Sequence, residues 1–256
     1  MTGASNVTLT AGGRSETGPR AVNQDCLAWD LGLGLFVVAD GMGGHNAGEV
    51  AAQLAVEAIR EFIAESAEGV DLTWPFPYEL SLSLDANRLL TAVRLANRRV
   101  YDGGCQDPAR EGMGTTVVVV LVTGDEATLV SVGDSRIYRF RGDRLEQLTS
   151  DDTWLSAVVG LADDDRTASN HPLKHVLTSV VGTRDDLHPL SRVEQLQRGD
   201  RLVLCSDGIH GRLDAAAITA VVRAGGTAEQ VASALVEESL ARRTSDNATA
   251  LVIAAD

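Results

Sequence analysis

Apolar positions recur along this chain with two spacings, and the spacings divide it into strands and helices. Short runs that alternate or are apolar throughout predict strands over Val7–Thr17, Gln24–Asp30, Leu33–Ala39, Gly114–Val122, Ala127–Val132, Ile137–Arg141, Arg144–Leu148, Gly199–Ser206 and Thr249–Ala254. Helical spacing covers Ala47–Glu65, with Val50, Leu54, Ala58 and Phe62 in register, and Leu84–Tyr101, which the pair Gly103-Gly104 should stop. Two further helices, Asp214–Ala224 and Thr227–Arg243, follow; Thr227 and Gln230 have the spacing of a capping box. Gly32 and Gly34 mark one hairpin turn and Gly142-Asp143 another. Gly114–Val122 is β-branched and almost wholly apolar, so it should be buried on both faces. Asp71–Ser83, with Trp74, Phe76 and Tyr78 among prolines, reads as a packed loop. The pattern weakens from Ser150 to Pro189, where Asp163, Asp164 and Asp165 suggest an exposed, mobile loop. Hairpins dominate the connections, so antiparallel sheets covered by helices are expected, within one domain over 1–256.

Composition narrows the function. The formal net charge is -14, which disfavours nucleic acid and anionic membrane surfaces as partners. Three widely spaced cysteines, Cys26, Cys105 and Cys205, form neither a disulfide framework nor a zinc knuckle; all three read as small buried hydrophobes. The N-terminus lacks the pattern of a signal peptide, and the longest purely apolar run, Val117–Val122, is too short to cross a bilayer. The expectation is a soluble, cytoplasmic chain.

Chemistry concentrates at strand ends. Asp40 in VVADG, Asp134 in SVGDSR, Asp207 in LCSDG and Asp246 in TSDN each stand beside Gly, Ser or Asn, and the first three directly follow apolar runs. Any one of them is a plausible turn residue. Together, at one edge of a fold, they would repel one another unless a cation neutralised them. Carboxylates without a His or Cys cluster suit hard ions such as Mg2+ or Mn2+. Arg20, five residues before Asp25, offers a guanidinium that can grip two phosphate oxygens. No Walker-type glycine loop and no Cys-x5-Arg loop occurs, which removes two other routes to phosphate chemistry.

RAVNQD at 20–25, VVADGMGGHNAGEVAA at 37–52, GMGTT at 112–116, VSVGDSRIYRF at 130–140, LTSDDT at 148–153, HP at 171–172, LTSVVGT at 177–183, LVLCSDGI at 202–209 and SDNATALV at 245–252 span nearly the whole chain. In this order they resemble the metal-dependent serine/threonine protein phosphatases of the protein phosphatase 2C (PPM) family, in their bacterial form. The resemblance implies an α+β fold: a four-layer α-β-β-α sandwich of two antiparallel sheets flanked by helix pairs, with a flap segment at about 150–176 beside the active site. It implies two Mn2+ or Mg2+ ions. Asp40 would bridge them, the Gly41 carbonyl would serve one, and Asp207 and Asp246 the other. Asp134, with Asp207, would hold a third, weaker ion. Arg20 would bind the substrate phosphate, Asp25 would orient waters from behind the ligands, and Asn247 would stand in the same outer layer. The implied reaction is direct hydrolysis of phosphoserine and phosphothreonine by a metal-activated bridging water, opposing a serine/threonine kinase on its protein substrates. Two alternatives share the fold: a metal-binding pseudophosphatase or sensor acting through partners, and a phosphatase of an anti-sigma-factor antagonist.

The chain departs from the family at Met42, where many eukaryotic relatives carry a histidine proposed as general acid. The proton donor is therefore unassigned, with a metal-bound water as the default. His45 and His171 read as local structural residues, and His210 as a loop residue that could line the cleft. The span Thr153–Leu177 fits the pattern poorly, with Gly160–Asn170 as the mobile part of the flap, so substrate preference is least legible there.

Overall fold

The computed structural model describes residues 7–44, 47–67, 74–154, 156 and 176–256. Two antiparallel sheets form its middle. One has the order β1-β11-β10-β7-β8, built from β1 (Leu9–Glu16), β7 (Arg136–Arg141), β8 (Arg144–Gln147), β10 (Arg201–Cys205) and β11 (Ala248–Ala255). The other has the order β2-β3-β5-β6-β9, built from β2 (Asp25–Asp30), β3 (Leu35–Met42), β5 (Val117–Thr123), β6 (Glu126–Val132) and β9 (Ser191–Gln195). The two-residue strand β4 (Gly114–Thr115) pairs with the end of β3. Helices α1 (Ala47–Ala67) and α2 (Leu84–Gln106) cover the second sheet. The short α3 (Asp207–His210), α4 (Ala215–Ala224) and α5 (Ala228–Ala241) lie against the first. This is the expected four-layer sandwich.

The period of two explains the layering. On β5, Val118, Val120 and Val122 enter the core between the sheets, while Val117, Val119 and Leu121 face the helices. On β3, Phe36 and Val38 belong to the inner layer, and Leu35, Val37 and Ala39 to the helix side. Both faces are dry, so these strands show no polar alternation.

Several boundaries differ from the sequence reading. Gly103 and Gly104 do not stop α2, which runs on to Gln106. A Cβ on Gly103 would lie 3.0 Å from Met113 Cε, so this glycine serves close packing inside the helix. Asp107 and Pro108 end the helix; the Asp107 carboxylate accepts from Ala109 N and caps a 3-10 turn over Pro108–Arg110. β3 continues through Asp40 to Met42 rather than ending at Ala39. The run Gly114–Val122 breaks at Thr116, whose N–H turns to the Asp40 carbonyl at 2.8 Å. Strand β9 escaped the sequence reading, because its exposed, charged alternation SRVEQ carries little apolar signal. Cys205 is buried and Cys26 half-buried, but Cys105 is exposed, contrary to expectation.

Trp74 of the aromatic loop packs edge-on against Phe62 and Tyr78, with ring centroids 6.2 and 5.1 Å away. The Thr227–Gln230 capping box forms as predicted. The Asp163–Asp165 run, Gly160–Asn170, His45 and His171 lie outside the described residues. The two ends of the 150–176 segment meet: Thr153 bridges Leu177, and Trp154 N donates to Val176 O at 2.8 Å. Among the described residues, no helix is long and apolar enough to cross a membrane.

Candidate active site

The site begins where the core between the sheets runs out of apolar residues. Along β3, the inward row Phe36, Val38 ends in Asp40. Along β2 the same row passes from Leu27 to Asp25, and Asp25 pairs directly with Asp40. On β11 the inward row runs back from Leu251 to Thr249 and Asn247. On β10 it passes from Leu204 to Ser206. Antiparallel pairing brings the C-terminal ends of β3, β6 and β10 and the N-terminal end of β11 to one edge, which gathers Asp40, Asp134, Asp207 and Asp246. With Arg20, Gln24, Gly41, Met42, Gly43, Thr116 and Leu177, these four aspartates line a cleft of about 300 Å3.

Hydrogen bonds and close packing fix the backbone that carries these carboxylates. Asp40 donates its N–H to Thr116 Oγ1 at 3.1 Å, and its carbonyl accepts from Thr115 Oγ1 at 2.9 Å. Thr116 Oγ1 also lies 2.8 Å from Ser135 Oγ, tying the strand of Asp40 to the loop of Asp134. Gly133, with φ 97°, lets that loop close, since a Cβ there would meet Thr116 Cγ2 at 2.7 Å. Gly41 is obligatory for a different reason. Its Cβ would fall 1.9 Å from the carbonyl of Gly48, where α1 abuts the strand. Asp207 opens α3, next to Ser206, whose Oγ donates to Asp25 Oδ2 at 2.8 Å.

Arg20 donates from Nη2 to Asp246 Oδ2 at 2.6 Å and from Nε to the Ser245 carbonyl at 2.9 Å. Asn247 holds the loop that carries Arg20. Its Nδ2 donates to the carbonyls of Thr17 and Val22, at 2.8 and 3.0 Å, and its Oδ1 accepts from Gln24 N at 2.9 Å. Asp25 lies behind the cleft rather than on its wall. His210 is in α3, with Nε2 3.0 Å from the Asp134 carbonyl, and is absent from the cleft lining.

The electrostatics are those of crowded, desolvated acids. Burial, then repulsion from Asp25, Asp207, Asp246 and Asp134, raises Asp40 well above the usual carboxylate range. Burial also lifts Asp25, Asp134 and Asp207, each to about 6, with neighbouring aspartates adding to the shift. Asp25 Oδ1 and Asp207 Oδ1 are buried without a hydrogen-bond partner. A buried carboxylate oxygen with no donor is costly, and a cation is one group that would satisfy it. Among the described residues, no three acidic, His or Cys side chains close on a single point. The carboxylates line the cleft walls instead, and Asp246 is drawn onto Arg20. The donor set is all oxygen, which fits hard divalent ions.

Sequence reasoning missed Thr116, Ser206 and Gln24. Each is a small or neutral polar residue whose part is visible only once strands are paired. Thr249 does carry a legible signal, since it continues the inward-facing row of β11.

The comparisons agree with this architecture. The family profile described as protein phosphatase 2C matches residues 12–244, and the chain belongs to that family. It is 34% identical over 244 residues to the serine/threonine protein phosphatase PstP of Mycobacterium tuberculosis, an alignment covering 93% of this chain but 43% of that protein. The chain thus spans less than half the length of that curated relative. The serine/threonine phosphatase stp of Listeria innocua is 27% identical over 225 residues, covering 86% of this chain and 83% of that protein. The solved structure of the PstP catalytic domain in complex with two manganese ions superposes with a TM-score of 0.81 at 30% identity, covering 97% of this chain and 98% of that one.

Proposed function

We propose that this chain is a metal-dependent serine/threonine protein phosphatase that hydrolyses phosphoserine and phosphothreonine in proteins. The observation that carries the reading is the meeting of Asp40, Asp134, Asp207, Asp246 and Arg20 in one cleft. The buried, unpartnered Asp207 Oδ1 and the raised carboxyls beside it support a cation there. The two manganese ions of the PstP structure support Mn2+ or Mg2+ as its identity.

In this reading Asp40, the Gly41 carbonyl, Asp207 and Asp246 hold two ions, and Asp134 with Asp207 holds a third, weaker one. When bound, such ions supply Lewis-acid charge and lower the pKa of water. The chain's own residues do the rest. Arg20 turns its guanidinium to the substrate phosphate, and its fork geometry fits two oxygens at once. Asn247 fixes the loop that carries Arg20. Asp25, held by Ser206 behind Asp40, would orient water on the cleft side. Met42 lines the cleft, and in this reading water gives the leaving alcohol its proton.

The substrates are phosphorylated proteins, and the partner is a serine/threonine kinase whose products this enzyme reverses. Three free cysteines, Cys105 exposed among them, favour a reducing compartment, and we place the chain in the cytoplasm. A pseudophosphatase would be expected to lack one of the cleft's acids or Arg20, and all are present. Incubating a phosphothreonine protein with Mn2+, with Mg2+ and with chelator tests the reading. Hydrolysis that needs the ion supports it, and hydrolysis that persists in chelator overturns it.

A further inference from the structure

A second arginine reaches the residue that precedes Asp246 of the cleft. Arg212 follows α3 by two residues, and its Nη2 lies 3.3 Å from Ser245 Oγ. Ser245 is the residue whose carbonyl receives Arg20 Nε at 2.9 Å, and it immediately precedes Asp246. One serine is therefore gripped from two sides, by Arg20 on its carbonyl and by Arg212 on its hydroxyl. The two guanidinium groups differ in their other partners. Arg20 is paired with Asp246, and Arg242 on the same approach to β11 is paired with Glu238. Arg212 has no carboxylate partner among the described residues; its contact with Ser245 is neutral and long. It is exposed to solvent.

Charge makes this position consequential. The chain carries a net charge of -14, and the cleft holds four aspartates, so an anionic substrate approaches against the field. An unpaired guanidinium beside Ser245 is a local exception. Two guanidinium groups sharing one serine lie within about 10 Å of each other, given these contacts and ordinary hydrogen-bond lengths. An extended peptide advances about 3.3 Å per residue, so that separation corresponds to two or three residues along a bound segment.

Resting on the phosphatase reading above, we propose that Arg212 is a specificity-determining residue, which binds an anionic side chain two or three residues from the phosphorylated serine or threonine. The anion is a carboxylate of Asp or Glu, or a second phosphoryl group. Arg20 takes the phosphate to be cleaved, and Arg212 takes the neighbouring charge.

The test compares phosphothreonine peptides with Mn2+ at low ionic strength. One peptide has alanine two and three residues from the phosphothreonine on both sides, one has glutamate at those positions, and one has a second phosphothreonine there. The quantity read is the ratio of kcat/KM for each anionic peptide to that for the neutral one. The wild type should show a ratio of about 5 or more, R212Q a ratio near 1, R212E a ratio below 1, and R212K most of the wild-type ratio. A high ratio for the glutamate peptide identifies a carboxylate anchor, and one confined to the doubly phosphorylated peptide identifies a phosphate anchor. A wild-type ratio of 1, or an unchanged ratio in R212Q with a native melting curve, overturns the proposal. Mn2+-dependent hydrolysis of the neutral peptide by the wild type reports on the phosphatase reading separately. Its absence would sink that reading, whereas hydrolysis without discrimination would sink only the role of Arg212.

Discussion

Arg20 Nη2 sits 2.6 Å from Asp246 Oδ2, so the proposed phosphate anchor and a proposed metal ligand neutralise each other across the cleft. The side chains are 53% and 32% exposed, and an ion pair that open to water is worth no more than about 1 kcal/mol. The contact is therefore a weak competitor that a divalent ion can displace. Arg20→Ala should raise KM for a phosphopeptide more than it lowers kcat, because it removes ground-state grip. It should also tighten Mn2+ binding by up to about 5-fold, which is the same energy returned to Asp246. Steady-state kinetics and calorimetric Mn2+ titration measure the two effects. An unchanged KM removes Arg20 from substrate binding, and a weakened Mn2+ affinity removes the competition.

Asp207 and Asp246 face opposite penalties. Asp207 Oδ1 is buried without a donor, whereas Asp246 Oδ2 is held by Arg20. Asp207→Asn and Asp246→Asn should both abolish Mn2+-dependent hydrolysis of p-nitrophenyl phosphate, since each removes a charged oxygen ligand. In the metal-free protein, Asp207→Asn should melt at or above the wild-type temperature, because it relieves repulsion among the cleft acids. Both variants should lose the rise in Tm that Mn2+ gives the wild type. Full activity in both would dismiss the metal assignment.

The raised carboxyls make the metal-free protein sensitive to pH in a definite direction. Asp25, Asp134 and Asp207 titrate near 6 when folded, against about 3.9 unfolded, and Asp40 lies well above its usual range. Between those values the folded state binds more protons than the unfolded one, so stability falls as pH rises. The stabilisation is present in full below about pH 4 and is lost as pH climbs through about 6. In chelator, Tm should therefore drop between pH 5 and pH 7. Saturating Mn2+ should abolish that drop, because the ions take over the role of the protons. A Tm that rises from pH 5 to pH 7 in chelator would contradict the crowding of these acids.

Much of this site could be read from the chain before its fold. Asp40, Asp134, Asp207 and Asp246 each stand at the end of an apolar or ordered segment, and antiparallel strands return to one edge. The hydrophobic periods gave antiparallel sheets covered by helices, and the four-layer sandwich came from the family resemblance. What escaped has physical causes. β9 is an edge strand with exposed residues on both faces, so its sequence lacks the apolar rhythm that marks β5. Gly103 looked like a helix stop, yet it is a contact surface for Met113, and tertiary packing overrode local propensity. Thr116 and Ser206 escaped because a hydroxyl becomes a site residue only through its partners, which lie 76 and 181 positions away.

Asn247 gives the final prediction, because its role differs from that of the acids around it. The side chain is 4% exposed, and its amide makes three hydrogen bonds to the backbone of the loop from Thr17 to Gln24. Gly18 belongs to the same clasp, with φ 60° and no room for a Cβ beside the Asp246 carbonyl at 2.4 Å. Asn247→Ala removes all three bonds from a partly exposed loop where water can replace some of them. The expected cost is about 2 kcal/mol. In a chain of this size that lowers Tm by roughly 4–8 °C. Asn247→Asp keeps the acceptor for Gln24 N but sets a carboxylate oxygen against the carbonyls of Thr17 and Val22, so it should cost at least as much despite its matching shape. Both variants should raise KM more than they lower kcat, since the loosened loop carries Arg20 and not the metal-facing acids. Calorimetric Mn2+ affinity should stay within about 3-fold of the wild type. A collapse of Mn2+ binding in Asn247→Ala, with the fold intact, would instead make Asn247 a support of the metal centre.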